Sequence, residues 1–182
     1  DLLSQAEHDA NAQSILITDD PEFAVAVAVA VENQVKTLER REIAAASWRD
    51  FGAIITVSSM REAVALSDRI APEHLELCVA DPKALSAQIT HAGAIFLGGW
   101  TPEAIGDYIG GPNHVLPTAR SARFSSGLSV MDFLKRTTLA MMRPEALCAI
   151  GPAAEILATS ESLQAHALSV TARLRKLNDG AD

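Results

Sequence analysis

Residues 52–70 read GAIITVSSMREAVALSDRI, and this stretch decides the fold class. Residues 52–57, GAIITV, form a short run rich in Ile and Val, the composition of a buried strand. Ser59 followed three positions later by Glu62 is the signature of a capping box, so a helix opens there and runs to about Ile70. Ala71-Pro72 closes it, because proline lacks a backbone donor and restricts the residue before it. The pattern repeats outward. Residues 75–79 predict a strand, and Asp81-Pro82 caps a short helix. Residues 93–97, GAIFL, predict another strand, and Thr101-Pro102-Glu103 caps a helix to about Tyr108. On the N-terminal side, residues 14–18, SILIT, predict the first strand, and Asp20-Pro21-Glu22 starts a helix. Short strands alternating with capped helices predict an α/β fold: a largely parallel sheet flanked by helices.

Residues 23–31 alternate Ala and Val, which by period alone would be a strand. Both residues are apolar, however, so no polar face alternates with an apolar one. The run continues through Glu32, Lys36, Glu39 and Arg40 without a breaker, and Glu32 to Lys36 is a favourable i,i+4 pair. The expectation is one helix from about 21 to 46. Residues 110–127 change character, with Gly110, Gly111, Pro112, Pro117, Gly127 and several Ser, and predict a long loop of functional type. Beyond Ser129 the expectation is helix throughout, broken at Pro144 and at Gly151-Pro152. The last helix, residues 163–177, ends in Arg173, Arg175 and Lys176, which suit the negative end of its dipole. The predicted organisation is an α/β portion over 1–128 and a small C-terminal helical tail over 129–182.

Composition narrows the function. The chain has 182 residues, with 15 Lys plus Arg against 23 Asp plus Glu, a net charge of −8. No basic stripe suits a phosphate backbone, so no nucleic-acid partner is expected. The longest apolar stretch, residues 23–31, is too short to span a bilayer, and no membrane partner is expected. Eight aromatics against 32 Ala imply a core of small aliphatics. Two Cys make no disulfide framework and predict a reduced, cytoplasmic setting. No secretory signal opens the sequence. It begins at Asp1, in what reads as a helix already under way, so the expectation is a piece of something longer.

Several residues could carry chemistry. Gln5 and His8 stand three apart on the first helical segment, which suits either a shared ligand face or a solvated one. Glu73-His74 joins a carboxylate to an imidazole between a helix and a strand, either two proton-transfer groups or a surface pair. Asp107 precedes the Gly/Pro loop, and His114 lies inside it. Glu161 and His166 fall at and inside the start of the last helix, where spacing favours a packed histidine. Cys78 and His74 share a strand face but stand about 13 Å apart, too far for a nucleophile–base dyad. Cys78 and Cys148 read as core residues. There is no GxGxxG, P-loop or GxSxG motif, and Gly98-Gly99-Trp100 is a plain turn.

The blocks DLLSQAEHD, RIAPEHLEL, AGAIFLGGWTPEAIGDYIGGPNHVLPT, ARFSSGLSVMDFLKR and ESLQAHALSVTARL, in this order, resemble the C-terminal half of histidinol dehydrogenase. The match runs over essentially the whole chain. Trp100 departs from the Tyr more usual in that turn, and full enzymes of the family are more than twice as long. The resemblance implies zinc- and NAD-dependent oxidation of L-histidinol to L-histidine through the aldehyde, the last two steps of histidine biosynthesis. It implies Gln5, His8, Asp107 and His166 as zinc ligands and Glu73 and His74 as the acid–base pair. It implies that His114 and Glu161, with His74 and the four ligands, contact the substrate. It further implies that the first portion is the second half of a bipartite Rossmann-like domain. A homodimer is also implied, with the tail swapped so that subunits share the site. NAD contacts would lie mostly in the missing half. Two other readings stand beside it: an inert folded assembly module, and a mononuclear zinc hydrolase in which Glu73 activates water.

Overall fold

A computed structural model describes residues 1–179 and divides the chain into two compact units, Asp1–Leu134 and a second beginning at Lys135. In the first unit, Leu3 and Ala6 of helix α1 (Leu2–Ala6) pack on Val31 of α2 (Pro21–Gln34) and Ala44 of α3 (Arg41–Phe51). Asp20 caps α2, accepting from the backbone N–H groups of Glu22 and Phe23 at 2.9 and 3.0 Å.

The single helix expected over 21–46 is two helices, separated by a 3-10 turn at Val35–Thr37 and an extended Leu38. Geometry explains the break. On one straight helix Val31 and Ala44 would lie about 20 Å apart, yet both must meet α1, which is only about 7.5 Å long. The chain turns so that both reach the same core. Lys36 falls in that turn, and the ion pairs among the described residues do not include Glu32–Lys36.

Strand β1 (Ile15–Thr18) pairs in parallel with β2 (Ala53–Thr56), with Ile15 opposite Ala53. Helix α4 (Met60–Ile70) follows. Ser59 accepts from the Glu62 N–H, but the Glu62 carboxylate turns to the N–H and hydroxyl of Ser58, so half the capping box shifts by one residue. Ala71 ends α4 in the left-handed region, at φ 51°. Strand β3 (His74–Leu77) pairs in parallel with β4 (Ala94–Leu97), with α5 (Pro82–Ser86), capped by Asp81, between them. The strands are parallel and helix-flanked as expected, arranged as two separate pairs. Cys78 lies beyond the end of β3 and is exposed, not in the core.

Helix α6 (Glu103–Tyr108) leads into the loop. Residues 110–127 form a loop that holds a short 3-10 turn at Ser121–Arg123. The Arg120 guanidinium donates to the Arg69 carbonyl at 2.6 Å, and Arg123 donates to the same oxygen, tying the loop to the C-terminus of α4.

The helix expected from Ser129 is a 3-10 turn, Val130–Phe133, boxed by Ser129 and Asp132. In the second unit the chain stays non-helical up to Arg143, which is extended (ψ 156°) because Pro144 follows it. Helix α7 (Pro144–Ser160) runs straight through Gly151-Pro152, where a break was expected. Pro152 forfeits one helical hydrogen bond, but Gly151 is buried, and a Cβ there would meet Val170 and Leu174 of α8 at 3.2 Å. The close approach of α7 and α8 (Gln164–Asp179) outweighs the lost bond. Glu161 terminates α7 instead of opening the last helix, and Ser162 turns the chain at φ 62°. Cys148 and His166, expected in packed positions, are both exposed.

Candidate functional site

Strand β3 reads HLEL, so His74 and Glu76 point to one face and Leu75 and Leu77 to the other. Phe96 pairs opposite Glu76 and shares the polar face, and its ring lies 5.9 Å from the His74 imidazole. Phe96 is buried beneath Gly106 of α6, where a Cβ would stand 2.4 Å from the ring. Glycine at 106 is therefore what lets α6 lie over Phe96.

The start of α6 is fixed from β3. The Glu76 carboxylate accepts from the Glu103 N–H at 2.8 Å, a capping bond supplied by a strand. Thr101, expected to cap this helix, donates its hydroxyl to the Leu97 carbonyl at 3.0 Å, and Pro102 holds the N-cap position. From this anchor α6 presents Glu103 and Asp107, four residues apart on one face, to His74. The His74 Nε2 atom lies 3.7 Å from Glu103 Oε1 and 3.5 Å from Asp107 Oδ1. That nitrogen is buried and has no hydrogen-bond partner. The three donor atoms lie within 4.8 Å of one another, a grouping able to hold a metal ion.

Glu73 adjoins this cluster. Burial raises its carboxyl above the usual range; the charges of Glu103 and Asp107 push the same way, while His74 and His8 oppose. A carboxylate beside two others in a half-buried site is a stronger base than one in water.

Of the residues picked from sequence, the structure therefore brings Glu73, His74 and Asp107 together. Gln5 is half-buried on α1. Helix α1 stops at Ala6, and His8 follows it in a turn, its N–H donating to the Gln5 carbonyl at 3.2 Å. His114 is exposed in the loop after α6, and Glu161 and His166 lie in the second unit. Glu103 was missed. The heptapeptide TPEAIGD carried its signal, since Glu and Asp at i,i+4 on a helix share a face. A neutral imidazole and two carboxylates form a mixed nitrogen and oxygen set that suits zinc and its neighbours. No helix among the described residues is long and apolar enough to cross a membrane.

Comparisons with known proteins show what the chain is similar to. The histidinol dehydrogenase from Cereibacter sphaeroides is 75% identical over 99% of this chain and 42% of its own length. That from Ruegeria pomeroyi is 76% identical over 98% of the chain and 41% of its own length. The crystal structure of histidinol dehydrogenase from Elizabethkingia anophelis superposes with a TM-score of 0.82 at 40% identity, over 97% of this chain and 41% of that one. The chain thus spans about two fifths of the length of the curated relatives it matches. Residues 1–174 match the model of the family described as histidinol dehydrogenase, and the chain belongs to that family.

Proposed function

We propose that this chain carries part of the active site of a zinc-dependent, NAD-linked oxidation of L-histidinol to L-histidine through histidinal, and that the complete protein performs it in the cytoplasm as a homodimer. The observation that supports it most is the meeting of Glu73, His74 and Asp107 at one corner of β3 and α6. Gln5, His8, Asp107 and His166 would hold the zinc. Of these, Asp107 lies in the cluster with His74 and Glu103, and the buried, partnerless His74 nitrogen against two carboxylates supports a corner of donor atoms suited to a metal. Zinc bound there would supply Lewis acidity and a hold for the nitrogen donors of the substrate, and NAD would supply the hydride acceptor. In this reading the tail over 129–182 reaches the partner subunit and completes the site, and the NAD contacts lie largely outside this chain.

The chain's own residues divide the work. His74 takes the hydroxyl proton in the alcohol step. Glu73 takes a proton from the water that adds to the aldehyde, and its burial beside like charges suits a base. His114 and Glu161 orient the substrate. Because Glu73 and His74 are adjacent, both steps run in one site without release of the aldehyde.

The test uses Glu73→Gln in the full-length protein, with histidinol and histidinal oxidation measured separately. Aldehyde oxidation should slow by about 10²-fold or more while alcohol oxidation is spared. Equal slowing of both steps would overturn the division of labour.

A further inference from the structure

We infer that Glu103 is the positioning residue of His74: its carboxylate, set in place by Glu76, orients the imidazole. The inference rests on the proposed role of His74 as the base of the alcohol step.

Three observations carry it. First, the His74 Nε2 atom is buried and faces two carboxylates without a hydrogen bond to either. A buried imidazole with one unpaired nitrogen is not held in a fixed orientation by hydrogen bonds. A shift of about half an ångström or more toward either oxygen would close a charge-assisted bond. Second, the two carboxylates are not equivalent. Asp107 is given to the zinc in the proposed site, and a carboxylate bound to a cation has less charge to offer a neighbour. Glu103 is outside the proposed ligand set, so its charge stays available to His74. Third, Glu103 is gripped at both ends by one strand. Its N–H is bonded by Glu76 at 2.8 Å, and its carboxylate returns to His74, two residues earlier on the same face of β3. Spending a half-buried acid, Glu76, on a single backbone donor makes sense if the position of residue 103 matters. Phe96, packed on the imidazole at 5.9 Å, closes the other side.

The experiment is a double-mutant cycle in the full-length protein, using Glu103→Gln, His74→Asn and the pair, with histidinol as substrate and zinc content measured for each. Glu103→Gln should lower kcat for alcohol oxidation by about 10- to 100-fold, the scale on which removing a carboxylate that orients a metal-bound histidine acts. KM and zinc content should stay at the wild-type level. In the His74→Asn background the second substitution should add no further loss, because Glu103 acts only through His74. Losses that multiply would overturn the inference, as would wild-type kcat in Glu103→Gln beside a crippled His74→Asn. Loss of zinc or of soluble protein in both Glu103→Gln and Glu103→Asp would make the residue metal-holding or structural, and would overturn it too. His74→Asn with unimpaired alcohol oxidation would instead remove the role of His74 on which the inference rests.

Discussion

The two strand pairs are built to one plan and used for different ends. Each has two parallel four-residue strands, and in each the second strand opens with an alanine preceded by glycine: Gly52-Ala53 at β2 and Gly93-Ala94 at β4. In each, that alanine donates to the chain just ahead of the first strand, Ala53 to Ser14 at 3.0 Å and Ala94 to Glu73 at 2.8 Å. The difference lies in the side chains. β1 and β2 read ILIT and AIIT, and no charged side chain is among the buried polar groups near them: Ser14, Thr18 and Ser47 put their hydroxyls to the backbone, and Ser67 on α4 leaves its own without a partner. Ser14 bonds the Leu2 carbonyl and Ser47 the Ala12 carbonyl, both at 2.8 Å. β3 reads HLEL, and its polar face meets charged groups from α6. One pair uses neutral hydroxyls, most of them to hold the chain. The other leaves a nitrogen unpaired and a carboxyl raised, which lowers stability and supplies reactive groups.

The largest test of that contrast replaces the two glycines. A Cβ at Gly93 would stand 2.5 Å from the Glu73 carbonyl, and one at Gly52 would stand 2.5 Å from the Trp48 carbonyl. Neither backbone oxygen can move cheaply, so Gly93→Val and Gly52→Val should each cost about 3 kcal/mol, read as a drop in the denaturation midpoint of the full-length protein. The functional outcomes should differ. Gly93→Val displaces Glu73 and should abolish oxidation in whatever protein stays folded. Gly52→Val should keep wild-type activity per folded molecule. Equal loss of activity in the two variants would mean that the pairs are not functionally distinct.

A smaller test compares single buried polar contacts. Ser47 is fully buried, and Ser47→Ala would strand the Ala12 carbonyl, costing about 1–2 kcal/mol with no change in kcat. Glu76→Ala removes the acceptor at the start of α6 and should cost about 1 kcal/mol. Here kcat should fall as well, because Glu103 loses its anchor. Stability and steady-state rates of the two variants, measured side by side, check this; an unchanged kcat in Glu76→Ala would confine Glu76 to a structural task.

Much of this plan could be read in advance. The strands lie within one or two residues of the apolar runs, and Asp20, Ser59 and Asp81 cap the helices they were expected to cap. Those features are local, set by side chains within three residues of the backbone they serve. What escaped was set at a distance. The break after Gln34 has no Gly or Pro; it follows from Val31 and Ala44 both needing α1. Helix α7 survives Pro152 because α8 fits against Gly151. Within the site, Glu73-His74 was visible as a dipeptide, whereas Glu103 required knowing that α6 folds back over β3. Glu76 was hidden for the same reason: an acid in a strand looks solvated until its partner, 27 residues on, is in place.

The smallest effect separates local from distant carboxylates in the loops that lead into strands. Before β1, the Asp9 carboxylate accepts from the Asn11 N–H and side-chain amide at 2.7 and 3.1 Å, two residues away. Before β4, the Asp68 carboxylate on α4 accepts from the N–H groups of Thr90 and His91, each at 2.9 Å and more than twenty residues away. For Asp68, partial burial pushes the carboxyl up, and the two backbone donors outweigh it, so the group ends below its ordinary value. Asp9 is also held down, by Asn11. An acid lowered by folding stabilises the native state above its unfolded value, about 3.9, and that contribution fades as pH falls through the lower folded value. The Asp68 bonds vanish on unfolding, since their partners are distant. Those of Asp9 can persist in the unfolded chain, which shrinks its difference between the two states. Asp68→Asn should therefore be less stable than the parent near neutral pH, and the two denaturation midpoints should converge as pH falls from about 5 toward about 2. Asp9→Asn should show a smaller gap throughout. A gap for Asp68→Asn that stays constant into acid would mean its bonds do not depend on charge, and an equal gap for Asp9→Asn would remove the distinction between near and distant partners.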